Sequence, residues 1–101
     1  MNKSYHAVIF TNRQSEDLEG YNKMLETMES LAKKQLGYLG FESARNELDI
    51  AISYWKTIED VKNWNANLDH LEAQAKGKNK WYSWYKVRIC KVEREYEFNS
   101  M

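Results

Sequence analysis

The stretch KNWNANLDHLEAQ, from Lys62 to Gln74, places a histidine among neutral hydrogen-bonding side chains. A neutral imidazole accepts or passes a proton near pH 7, so His70 is a candidate general base or oxyanion partner. With residues set 100° apart from Val61, the side chains of Asn63, Asn67, His70 and Gln74 form one strip of a helix. That strip borders an apolar stripe of Val61, Trp64, Leu68, Leu71 and Ala75. Amides and an imidazole beside an indole could line a pocket, because pocket walls combine apolar surface with a few placed polar groups. Trp64 would then stack on a flat aromatic ligand. The same composition also suits a solvated helix surface, since periodicity assigns a face and not what covers it. Asn63, Asn65 and Asn67 are poor helix formers. They raise the expectation of a break near Asn65 to Asn67, with Asn67 capping a new segment.

Other residues carry weaker chemical signals. KGKNKWYSWYKVRICK interleaves cations with Trp81, Tyr82, Trp84 and Tyr85, a pattern that can bind single-stranded nucleic acid. The net charge of zero favours a plainer role for these rings, anchoring the last strand to the core, and no nucleic-acid partner is expected. There is no glycine-rich phosphate loop. Two histidines without a carboxylate cluster at ligand spacing predict no dedicated metal site. Cys90 is the one cysteine, so no intrachain disulfide or thiolate cluster can form. It reads as a small buried residue in a reducing, cytoplasmic setting.

These groups need elements to hold them. A chain of 101 residues fits one domain, residues 1–101, with a single core. No apolar run approaches the ~20 residues that span a bilayer, and the apolar part of the N-terminal stretch is too short for a signal peptide. Tyr5 to Arg13 reads as a strand with both alternating sets apolar, Ala7 and Ile9 against Val8 and Phe10. Ser15 is the expected N-cap of an amphipathic helix that Gly37 stops. Tyr38 to Arg45 and Leu48 to Thr57 form a hairpin turning at Asn46 and Glu47. A second helix is expected from Glu59 to Lys78. The last strand is expected from Trp84 to Phe98.

The order is strand, helix, strand, strand, helix, strand. It predicts an α+β fold, a ferredoxin-like βαββαβ protomer with a four-stranded antiparallel sheet. Strands one and three, apolar on both sides, then lie in the centre of the sheet. Helices cover one face only. The other face predicts a homodimer through sheet faces, burying roughly 1,200 Å² or more in total.

GFESAR, ISYWKTIEDVKNW, HLEAQAKG and WYSWYKVRICKVEREYEF together resemble the antibiotic biosynthesis monooxygenase domain, of the dimeric α+β barrel superfamily. The resemblance runs from Tyr5 to Phe98 and is closest to the small bacterial members. It implies a dimer built on the sheet faces and a cavity between sheet and helices in each protomer. Members that oxidise polycyclic phenols with O₂, without metal or flavin, carry a Trp on the second helix that matches Trp64. Six residues later they carry a Tyr, where this chain has His70. A haem-degrading branch has the same Trp and a ligating His ten residues on, where this chain has Gln74. Members also tend to carry a Pro before GF and another shortly before that His; Leu36 or Tyr38 and Leu68 occupy those regions here.

The resemblance implies a cofactor-independent monooxygenase acting on a small aromatic or phenolic compound. His70 would be base or oxyanion partner, and Trp64 would pack on the substrate ring. Asn67, Gln74 and Asn63 would orient it, with Phe10, Phe41, Tyr54 and Trp55 available as walls. The alternatives are a haem-binding or haem-degrading protein with His70 as ligand, and a non-enzymatic dimeric stress protein that binds a small ligand.

Overall fold

The computed structural model describes residues 4–75 and 81–100, with side chains for 4–67 and 81–100. The elements are β1 (Tyr5–Gln14), α1 (Tyr21–Lys33), β2 (Tyr38–Arg45), β3 (Asp49–Trp55), α2 (Ile58–Ala75) and β4 (Tyr82–Val92). The sheet order is β2-β3-β1-β4 and every pairing is antiparallel. The expected βαββαβ fold is thus observed, with β1 and β3 in the centre.

Register divides the sheet into two faces, because directly opposed residues on antiparallel strands share a side. His6, Val8, Phe10 and Asn12 oppose Trp55, Ser53, Ala51 and Asp49 on β3, and Lys91, Ile89, Val87 and Tyr85 on β4. The helices cover this face. The buried cluster joins Val8 and Trp55 of the sheet to Ala32 of α1 and to Val61 and Trp64 of α2, with Leu31 and Tyr38 packed against it. The opposite face carries Tyr5, Ala7, Ile9 and Thr11 with Ile52, Tyr54, Cys90 and Arg88, and among the described residues neither α1 nor α2 packs on it.

Several boundaries differ from expectation. Ser15 does not cap α1. Its backbone N–H donates to the Trp81 carbonyl at 2.7 Å, and this tie prolongs the contact between the ends of β1 and β4. Helix α1 starts at Tyr21 instead, behind Gly20 in the left-handed region with φ 81° and no side-chain cap. Glycine adopts that conformation without the penalty a Cβ would bring. Strand β3 is shorter than expected at both ends. Strand β4 begins two residues early, at Tyr82, and ends at Val92 rather than Phe98. Val92 pairs with Tyr5, the first residue of β1, so residues 93–98 have no strand to bond among the described residues. Tyr96 and Phe98 are each 87% exposed there.

Helix α2 does not break at its asparagines. Its start is held reciprocally: the Thr57 N–H and hydroxyl donate to Asp60 Oδ2, at 3.2 and 2.8 Å, and the Asp60 N–H donates to Thr57 Oγ1 at 3.1 Å. This is capping-box logic with Asp in the acidic place. The predicted stretch from Ala75 to Lys78 falls partly outside the described residues.

On the uncovered face the Tyr54 hydroxyl donates to Glu42 Oε1 at 2.5 Å, and the Tyr5 hydroxyl donates to Glu95. The bond to Glu42, aided by partial burial and the Glu42 charge, pushes Tyr54 up to about 12 from 10.0. The protonated phenol is favoured in the folded state. Its stabilising contribution is therefore complete below pH 10.0 and is lost as pH rises through about 12. An ultraviolet titration should find this tyrosine ionising late. In Glu42→Gln the same transition should move back towards ~10; an unchanged titration would refute the assignment.

Candidate functional site

The helix-covered face contains a partly open apolar floor. Val87 and Ile89 of β4 lie on it, opposite Phe10 and Val8, yet remain 45% and 47% exposed. The main helix–sheet packing is on β1, β2 and β3, and these two β4 side chains keep nearly half of their surface accessible. Phe10 joins the floor to an aromatic wall. Its ring meets Tyr82 edge-on at 5.3 Å and Tyr85 at 5.5 Å, and Tyr82 meets Tyr21 of α1 at 6.0 Å. Trp81 closes this end, with its Nε1 donating to the Glu19 carbonyl at 2.8 Å.

Polar atoms stand at both ends of the floor. Near the tyrosines, Asn12 is 2% exposed and directly opposes Asp49. Asn12 Oδ1 and Gln14 Nε2 are buried with no hydrogen-bond partner. Asp49 Oδ2 also lacks an aligned donor, although Arg45 Nε lies 3.2 Å from it as an ion pair. The short distance makes the charge pairing real, and the misalignment means the oxygen retains hydrogen-bonding capacity. Arg45 also donates to the Tyr21 hydroxyl at 3.3 Å and stacks over that ring. At the other end His6 is half-buried beside Trp55, and its Nδ1 is buried without a partner. Buried polar atoms are normally satisfied, so such a set marks a place where a water or ligand can bond.

The sequence-based candidates separate. Trp64 is buried and stacks on Trp55, with ring centroids 5.3 Å apart and planes 26° apart. Trp55 has no accessible surface, and its Nε1 donates to Ser53 Oγ at 2.8 Å. The two indoles therefore pack on each other within the core. Asn67 reaches the turn just after α1: its Nδ2 donates to Gln35 Oε1 at 3.2 Å and to the Asn63 carbonyl at 3.0 Å. The Asn67 side of α2 thus turns towards the end of α1, and the Asn63 side chain is exposed. Phe10 lies on the floor as described. Phe41 is on the helix-covered face at the sheet edge, whereas Tyr54 points to the other face. His70 and Gln74 belong to α2, but their side chains lie outside the described residues.

His6, Asn12, Gln14 and Asp49 were not picked out from sequence. Extending the Val8 and Phe10 alternation by one step each way would have found His6 and Asn12. Among the described residues no group of three or more His, Cys, Asp or Glu could hold a metal ion. No described helix is long and apolar enough to cross a membrane.

The chain is 43% identical over 94 residues to YqjZ, an uncharacterized protein of Bacillus subtilis, covering 90% of this chain and 82% of that one. No family model matches. Among solved structures, SnoaB from Streptomyces nogalater, a cofactor-independent oxygenase, superposes with a TM-score of 0.69 at 10% identity, covering 93% of this chain and 97% of that one. A protein from Nitrosomonas europaea, named as a candidate antibiotic biosynthesis monooxygenase, gives 0.66 at 11% identity, with 89% and 90% covered. At these identities the fold is what is shared, and it is the fold of antibiotic biosynthesis monooxygenase-like proteins.

Proposed function

We propose that this chain, which belongs to the same family as YqjZ of Bacillus subtilis, oxidises a small aromatic or phenolic compound with O₂ and without a cofactor. The observation that supports this most is the open apolar floor of Phe10, Val87 and Ile89, walled by tyrosines and flanked by unpartnered buried polar atoms. A flat ring fits such a floor, and its hydroxyls need polar atoms at the rim. The fold shared with a cofactor-independent oxygenase supports the same reading.

The chemistry starts when a base removes the phenolic proton; His70 is our choice for that role. The resulting anion donates electrons to O₂, and a carbon–oxygen bond forms at an unsubstituted ring carbon. Loss of water from the hydroperoxide, taking the ring hydrogen and the outer oxygen, leaves a quinone. One oxygen atom enters the product and the other leaves as water, so the substrate supplies every electron. Trp64 shapes the site from the core side, and Asn63, Asn67 and Gln74 hold the α2 flank. The protein acts as a homodimer through its uncovered sheet face. The single Cys90 suits a reducing, cytoplasmic compartment.

An oxygen electrode with a panel of bicyclic and tricyclic phenols tests the reading. At least one should give O₂ uptake matched to quinone formed, and His70→Ala should lower the rate about 100-fold or more. Equal rates in the variant would remove His70 from the mechanism. No uptake across the panel, together with a haemin Soret shift abolished in His70→Ala, would replace the proposal with haem binding.

A further inference from the structure

The uncovered sheet face has an ordered charge pattern. At the level of Ile9 the register places four residues in one row across the sheet: Glu42 on β2, Ile52 on β3, Ile9 on β1 and Arg88 on β4. The next row is Ala44, Ile50, Thr11 and Lys86. Acid thus stands on one edge strand and base on the other, with two isoleucines between them. Glu95, bonded to Tyr5, adds a second carboxylate, and its charge together with that of Glu42 reaches both Tyr5 and Tyr54.

A surface that meets its own copy across a two-fold axis must be complementary to itself. This row satisfies that condition about one axis. With the two-fold parallel to the strands and midway between Ile52 and Ile9, β2 of each copy lies over β4 of the other. We propose that Glu42 pairs with the partner's Arg88, twice in the dimer, while Ile9 and Ile52 meet between the two pairs. This rests on the sheet-face dimer proposed above and adds its orientation. An axis across the strands at this level would instead lay β4 over β4 and set Arg88 against the partner's Arg88 or the partner's Lys86, like charge on like.

The dimensions fit. Packed sheets lie ~10 Å apart, within the joint reach of a glutamate and an arginine. Four strands ~4.8 Å apart and about eight residues long give roughly 500 Å² of face per copy in projection. Two such faces approach the ~1,200 Å² at which specific interfaces begin. Glu42 and Arg88 are both exposed in the protomer, and a carboxylate bonded to Tyr54 still has lone pairs for a guanidinium.

Sedimentation equilibrium on the full chain tests the pairing. Arg88→Glu and Glu42→Arg should each weaken the dimer about tenfold or more, and the charge-swapped double variant should recover most of that loss. Glu42→Gln and Arg88→Gln avoid reversal; combined, they should weaken the dimer little more than either alone. Lys91→Glu, on the helix-covered face, should leave it unchanged. A wild-type chain that sediments as a monomer overturns the dimer itself. A dimer indifferent to Glu42 and Arg88, or single losses that simply add, overturns the pairing and leaves the dimer standing.

Discussion

Trp55→Ala should lower the unfolding free energy by about 3–5 kcal/mol. Trp55 has no accessible surface, stacks on Trp64 and meets Tyr38 edge-on with centroids 5.6 Å apart. Removing the indole empties the meeting point of β3, α2 and the start of β2, and deprives Ser53 Oγ of its donor. Small domains hold ~5–15 kcal/mol in all, so the variant would be near the edge of folding. Urea denaturation followed by circular dichroism measures the loss. Trp55→Phe should recover part of it by refilling the volume without the Nε1 donor. Leu36→Ala, at an exposed position, should cost within ~0.5 kcal/mol. Equal costs at positions 55 and 36 would contradict the core assignment.

Gly37→Ala should cost about 2–4 kcal/mol, far more than a surface glycine normally would. Gly37 has φ 83°, and a β-carbon there would fall on the Asp60 carboxylate. Left-handed backbone costs an L-residue ~1–2 kcal/mol. The displaced carboxylate is the group that holds Thr57 at the start of α2, and loss of a cap costs ~0.5–2 kcal/mol more. The Gly37 carbonyl also accepts from the Lys56 N–H at 2.8 Å, so the insult falls on the β3–α2 junction. Thermal melts of Gly37→Ala, Asp60→Ala and the double variant test this. If displacement of Asp60 is the cause, the double should be less destabilised than the two single losses summed. Full additivity would leave backbone strain alone responsible.

Alternation made most of the fold legible. A strand such as β1, apolar in both parities, suits the middle of a sheet, and the βαββαβ order puts it there. Gly37 reads as the stop of the first helix, but α1 ends at Lys33 with Lys34 as its cap, and Gly37 serves the turn into β2 instead. Its nearness to Asp60, 23 positions on, was not legible. The start of α1 was misplaced because Ser15 carries the ordinary capping side chain, while the chain uses the backbone freedom of Gly20. The overrun of β4 has a different origin. EREYEF alternates like a strand, but a strand needs a neighbour, and the start of β1 sets where the neighbour ends. At the candidate site, the helical period grouped Asn63 and Asn67 correctly. It could not show that their side of α2 turns to Gln35, because that contact crosses 32 positions. His6 and Asn12 were passed over because a strand read for its apolar members hides polar ones of the same parity.

The Trp55–Trp64 stack also makes the protein its own optical probe. Two indoles 5.3 Å apart and nearly parallel couple their transitions, which gives circular dichroism a signal distinct from that of helix or sheet. One ring belongs to β3 and the other to α2. The coupled band therefore reports whether the helix is seated on the sheet, without any label. Anything that shifts α2 relative to β3 would change this band, so the seating of the helix can be followed in the unmodified chain.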